Sequence, residues 1–188
     1  MNFNYLSRIE TSHVLLHEIS EADLPYLIRL RRDRENSHLS PINDSLDAQL
    51  SYFNSYISLR SGISEIYYKV LDRRNVNELI GLVRLTKLDH FEIFSWDSFV
   101  MSEKAPPFFS LDVMMTIYRI GFEHLDRRVC GPWTVPISAP HIFKLHNSIA
   151  MADIDSKDEK FFYMSIPQSK FLARFVFYKR MGFGLYNL

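Results

Sequence analysis

The sequence predicts a mixed α/β (α+β) fold in which a mixed, mostly antiparallel central sheet carries helices on both faces. Two observations carry this. Short apolar runs of strand character alternate along the chain with longer stretches whose apolar residues recur at helical spacing. Their order, β-α-α-β-β-β-α-β-α-β-β-α, also mixes hairpins with crossovers. No repeat, Gly/Ser linker or low-complexity tract divides the 188 residues, and 47% are hydrophobic, so residues 1–188 are expected to form one domain with a substantial core.

His13 to Ile19 reads as the first strand. Ser20-Glu21-Ala22-Asp23 then forms a near capping box, and Leu24, Leu27 and Ile28 make the buried stripe of the first helix. A second helix is expected from about Asp44, with Leu46, Leu50, Phe53 and Ile57 on one face. Ser64 to Asp72 and Glu78 to Lys87 are two strands joined by the polar turn at residues 73–77. On the first, Ile66, Tyr68 and Val70 share a face, and Gly81 in the second marks a bulge or a close backbone approach.

The longest strand runs from about Phe91 to Met101. After Pro106-Pro107 a helix is expected to open at Ser110, a good N-cap residue. Val129 to Val135 is another strand, and Pro132, which has no amide to give a ladder, must sit at a bulge or where neighbouring strands part. Ala139 to Asn147 is a short helix, Met151 to Ile154 and Phe161 to Ile166 are strands, and a last helix spans about Gln168 to Met181, stopped by Gly182.

Composition excludes several function classes. Lys+Arg and Asp+Glu balance at 22 each, whereas a protein that neutralises nucleic-acid phosphates carries a basic excess, so no nucleic-acid partner is expected. The single Cys130 rules out an internal disulfide and a cysteine-rich zinc site. His141 and His146 are five apart, wrong for a helical metal pair, and His13 with His17 lacks a third ligand, so no metal is assigned. No apolar run approaches the ~20 residues that cross a bilayer, and residues 1–5 lack the blocks of a signal peptide. The expectation is a cytoplasmic protein without a membrane partner.

Several local patterns carry a resemblance. They are the Leu/Arg-rich early helix Leu27-Ile28-Arg29-Leu30-Arg31-Arg32, the strand Glu78-Leu79-Ile80-Gly81-Leu82-Val83-Arg84-Leu85, and the helix end Gly121-Phe122-Glu123-His124-Leu125. With the element order, they resemble the GNAT superfamily of N-acetyltransferases over nearly the whole chain, most of all its ribosomal-protein alanine and amino-sugar branches. Aligning Leu145 with that family's short-helix motif puts His146 at its Tyr, Ala139 at its Asn, Ile142 at its Ala and Ala150-Met151 at its Gly-Phe. Phe177-Tyr178-Lys179-Arg180-Met181-Gly182-Phe183 fits the motif's letters better, but it would place the cofactor half too late in the chain, so it reads as the last helix and its stop.

The resemblance implies acetyl-CoA as co-substrate and a small-molecule primary amine as acceptor, a nucleotide-linked amino sugar before a protein N-terminus, and it leaves a homodimer open. It places the cofactor against Val100, Met101, Phe108, Phe109, Ser110 and Leu111. It makes His146 the acid for the leaving thiolate, since an imidazolium at ~6.5 is a stronger acid than a phenol at ~10. Asp97 and Glu92 are the candidates to relay the amine's proton, with Arg31, Arg32 and Trp96 toward the acceptor. Strand alternation groups Asp97 with Phe99 and Glu92 with Trp96 on opposite faces. The glycines of the family's pyrophosphate loop are missing: Ala105-Pro106-Pro107-Phe108-Phe109-Ser110 stands there, and Asp112 adds a negative charge in the expected first turn. Two readings follow, an enzyme that binds acetyl-CoA more weakly and a non-catalytic binding or scaffold domain on the same fold.

Overall fold

A computed structural model describes residues 4–33, 45–60, 64–138, 144–148 and 152–187. The strands are β1 (Arg8–Thr11), β2 (Val14–Glu18), β3 (Ile66–Asp72), β4 (Asn75–Thr86), β5 (Ile93–Met101), β6 (Val129–Pro136), β7 (Asp153–Lys157), β8 (Phe161–Pro167) and β9 (Tyr186–Asn187). They form one sheet in the order β7-β8-β6-β5-β4-β3-β2-β1-β9, and only the β5·β6 pair is parallel. The helices are α1 (Leu24–Asp33), α2 (Leu46–Arg60), α3 (Pro107–Arg119), α4 (residues 144–148) and α5 (Gln168–Arg180).

Alternation along the strands builds a core on each face. Toward α3 and α5, Tyr68, Val70, Val83 and Phe94 pack against Val113, Ile117, Phe171 and Phe175. Toward α1 and α2, Tyr67, Leu82 and Val100 pack against Leu24, Leu27, Phe53 and Tyr56. The α1 stripe is as expected, and Asp23 accepts hydrogen bonds from the Ser20 amide and hydroxyl, both 2.7 Å. At α2 the Ser45 hydroxyl accepts the Ala48 amide at 3.0 Å, one residue after Asp44, which lies outside the described residues.

Four boundaries differ from the sequence reading, one of them being β7, which runs on to Lys157 past its expected end at Ile154. The first strand is the second half of a hairpin: β1 precedes it, and β9 pairs with β1 at the sheet edge. The β3–β4 turn is only Arg73 and Arg74. Helix α3 opens at Pro107, not Ser110, because proline is preorganised for the first helical position and its missing amide costs nothing there. Gly81 and Pro132 behave as their chemistry demands. A Cβ on Gly81 would lie 2.7 Å from the Val100 carbonyl oxygen. Pro132 falls in the register break between Cys130 and Trp133, where β6 leaves β5 to follow β8.

Candidate functional site

Strand β5 is where the fold opens. It pairs with β6 only at Ile93↔Val129 and Phe94↔Cys130, and beyond them the two strands part. On its other edge β5 stays with β4, but the register slips between Leu82↔Val100 and Arg84↔Asp97, two residues against three. The extra residue is a bulge, and Ser98 takes a left-handed φ of 51° within it. Helix α3 starts six residues after β5 ends.

The bulge corrects the face assignment made from strict alternation. Trp96 and Phe99 lie on the same face, their rings edge-on at 5.6 Å. Asp97 faces the opposite side, with Leu82 and Val100. Glu92 is exposed and precedes β5, and its carbonyl accepts the Arg128 amide at 2.8 Å. It sits about 20 Å along the strand from the bulge. The expected relay role therefore does not fit Glu92.

Aromatic rings line the α3 side of the opening. Trp133 donates its indole N–H to the Trp96 carbonyl at 2.9 Å, bridging the strands just past their last pair. His146 lies between the two indoles, with ring centroids 5.3 Å from Trp96 and 5.0 Å from Trp133. Its Nδ1 is 2.7 Å from the Tyr118 hydroxyl of α3. Alignment thus brings His146 to the opening, but not as an exposed acid. Burial lowers its pKa to about 4, so the ring is neutral at neutral pH. Trp96, expected toward the acceptor, belongs to this aromatic wall on the face of β5 opposite Asp97. Ala139, His141, Ile142, Ala150 and Met151 lie outside the described residues. The rival Phe177–Phe183 run is the end of α5, where Tyr178 packs into the core.

The start of α3 offers few donors. Pro106 and Pro107 have no amide hydrogen, the Phe109 amide bonds the Pro106 carbonyl at 2.9 Å, and the Ala105 amide bonds Ser102 at 3.0 Å. The Phe108 and Phe109 rings turn away from the β5/β6 opening. Phe108 meets His13 edge-on at 5.1 Å, and Phe109 is buried beneath the Arg74 guanidinium, 5.3 Å from its ring centroid. With Ser12 and Arg73 these four line a cavity of about 320 Å³. Val100 and Met101 send their side chains into the two cores, so only their backbone faces the opening. Ser110 is half-buried in the helix interior, and Leu111 packs against the core.

Asp112, the acid that the sequence puts near the helix start, is buried, and its carboxyl group is held by hydrogen bonds from several segments. It accepts from the Thr11 hydroxyl at 2.6 Å, the Gly184 amide at 2.8 Å and the His13 amide at 3.2 Å, with His13 Nδ1 at 3.0 Å.

On the α1–α2 side lies a polar cluster that sequence reasoning found only in part. Arg84 of β4 grips Asp97 with two bonds, Nε–Oδ1 2.8 Å and Nη2–Oδ2 3.1 Å. Its Nη1 reaches the Tyr52 hydroxyl of α2 and stands 3.6 Å from Glu65. Burial opposes the charge on Arg84, and the pairing with Asp97 outweighs it, so the guanidinium stays charged. Burial pushes the Glu65 carboxyl above the usual range, against the pull of Arg84. Arg31 acts on this cluster through its field at Tyr52 and Tyr67, whereas Arg32 lies exposed on α1. The available signal was a charge inside each of two adjacent strands, Arg84 and Asp97, but only the bulged register pairs them.

No protein-family model matches the sequence, and no curated protein does. Among solved structures, FdhC, a nucleotide-linked sugar GNAT in its apo form, superposes with a TM-score of 0.79 at 20% identity, covering 93% of this chain and 98% of its own. Spermidine N-acetyltransferase from Vibrio cholerae, in complex with CoA and spermine, gives 0.68 at 18% identity, covering 86% and 99%. The chain has the GNAT acetyltransferase fold. Among the described residues no group of three or more His, Cys, Asp or Glu is gathered as for a metal, and no helix is long and apolar enough to cross a membrane.

Proposed function

We propose that the protein is an N-acetyltransferase that moves acetyl from acetyl-CoA to a primary amine of a small molecule, with a nucleotide-linked amino sugar as preferred acceptor. The observation that carries this is the parting of β5 from β6 beside the Ser98 bulge, which leaves a backbone edge unladdered where a pantetheine arm can pair. The overlap with FdhC supports the acceptor, and the CoA-bound spermidine enzyme on the same fold supports the donor. A cytoplasmic location belongs to the same proposal.

The two sides of β5 then divide the chemistry. The amine approaches from the Arg84–Asp97 side and attacks the thioester carbonyl carbon, whose oxygen lies toward the bulge amides. A C–N bond forms, the C–S bond breaks, the amine gives up a proton, and the thiolate takes one. His146 is neutral, so it steadies the leaving sulfur with a hydrogen bond and does not act as an imidazolium acid. Its variant His146→Ala should lower turnover with little change in acetyl-CoA affinity, and the pH–rate profile of the unaltered protein should show no imidazolium step near 6.5.

Calorimetry with acetyl-CoA tests the proposal. Saturable binding with thiol release in the presence of amines supports it, and no binding up to millimolar ligand discards it. A scaffold domain is the second reading. The Trp133–Trp96 bridge and the poor supply of amides at the start of α3 favour it, and the same titration decides between them.

A further inference from the structure

The cluster around Arg84 contains a group with no structural use. Tyr67 of β3 is 2% exposed, and its hydroxyl has no hydrogen-bond partner among the described residues. Leaving a buried hydroxyl unpaired costs about 1–3 kcal/mol. Its ring packs in the apolar core under α1 and α2, burial weighs most on the hydroxyl, and the charges of Arg31, Arg84 and Asp97 act on it from the adjoining cluster. Glu65 is incompletely matched as well. Asp97 holds two nitrogens of Arg84 and the third also meets Tyr52, so Glu65 is left at 3.6 Å from its cation, beyond good hydrogen-bond length. The Glu65 side chain is 14% exposed, mostly sheltered but still reached by solvent. The cluster adjoins the bulge through Asp97, one residue before Ser98.

We propose that Glu65 and Tyr67 form the acceptor subsite: the Glu65 carboxylate receives the ammonium of a small primary amine and takes its proton, while the Tyr67 hydroxyl holds a neighbouring polar group of the same molecule. This rests on the acyl-transfer reading above. The ammonium becomes a neutral amine and the carboxylate a carboxylic acid, and the freed lone pair forms the C–N bond. Burial, which raises the Glu65 carboxyl, makes it a better proton acceptor than an ordinary glutamate. Arg84, fixed by Asp97 and Tyr52, keeps Glu65 in place.

The test measures thiol release from acetyl-CoA with two probes, spermidine and uridine-diphosphate-linked glucosamine, alongside calorimetry with acetyl-CoA. E65Q should lower kcat/KM about a hundredfold, leave acetyl-CoA affinity unchanged, and regain activity as rising pH frees the amine without help. Y67F should raise the amine KM about three- to tenfold, the worth of one hydrogen bond. Its thermal midpoint should be equal or higher, because an unpartnered hydroxyl is gone. The assignment is overturned by an E65Q within twofold of the unaltered protein at every pH, or by a Y67F that melts earlier with KM unchanged. It also falls if the protein binds acetyl-CoA and turns over neither probe. Failure to bind acetyl-CoA removes the acyl-transfer reading and this assignment together.

Discussion

Two polar clusters lie on opposite faces of the sheet, and they are finished differently. Around Asp112, on the α3 side, every bond serves the fold: one buried carboxylate ties the β1–β2 turn and the Gly184 turn to α3. Around Arg84, on the α1–α2 side, a hydroxyl is left over and a carboxylate is only half-matched. A saturated polar cluster buried in a core locks segments together. An unsaturated one at the mouth of an opening is kept at a cost in stability, and that cost marks it as a place for a ligand.

The contrast can be broken by substitution. Asp112→Ala strips the saturated cluster of its only carboxylate and should cost about 3–5 kcal/mol, with the thermal midpoint falling accordingly. An Asp112→Ala protein of normal stability would erase the distinction. Acid gives the next largest effect. His146 titrates near 4 in the folded chain and near 6.5 when unfolded, so it contributes nothing above pH 6.5. As pH falls from there toward 4, the unfolded chain takes up a proton that the folded chain refuses, and about 3 kcal/mol of stability is lost. Urea unfolding at several pH values should show this loss in the unaltered protein and not in His146→Phe.

Asp97→Ala sharpens the comparison at the smallest scale. The Asp97 side chain is 43% exposed, so solvent screens its pair with Arg84 and the stability loss should be about 1 kcal/mol or less. Activity should fall much further, because Arg84 is then free to swing onto Glu65. Matched losses of stability and turnover would instead make the Arg84 cluster another piece of scaffold.

Much of the fold was legible because it rests on local rules. The β3–β4 hairpin, the α1 stripe and the glycine stop after α5 follow from alternation, capping and φ alone. Strands β1 and β9 escaped because runs of four and two residues are too short to show a period. The site was harder to read. Ser98, not glycine, takes the left-handed φ of the bulge, so no composition signal announced the change of faces that separates Asp97 from Phe99. Glu65, Tyr67, Arg84 and Asp97 come from three strands and a preceding loop, and only the pairing register gathers them. His146 was located by alignment, but its protonation state depends on rings from β5 and β6 that no local pattern connects to it.

The bridge between Trp133 and Trp96 has a practical consequence. The chain contains only two tryptophans, and both indoles stand where β5 and β6 separate. The intrinsic fluorescence of the protein is therefore an optical gauge of that one crevice. A pantetheine arm sliding in should shift the emission without any added dye, and a ligand lodged elsewhere should leave the spectrum as it was.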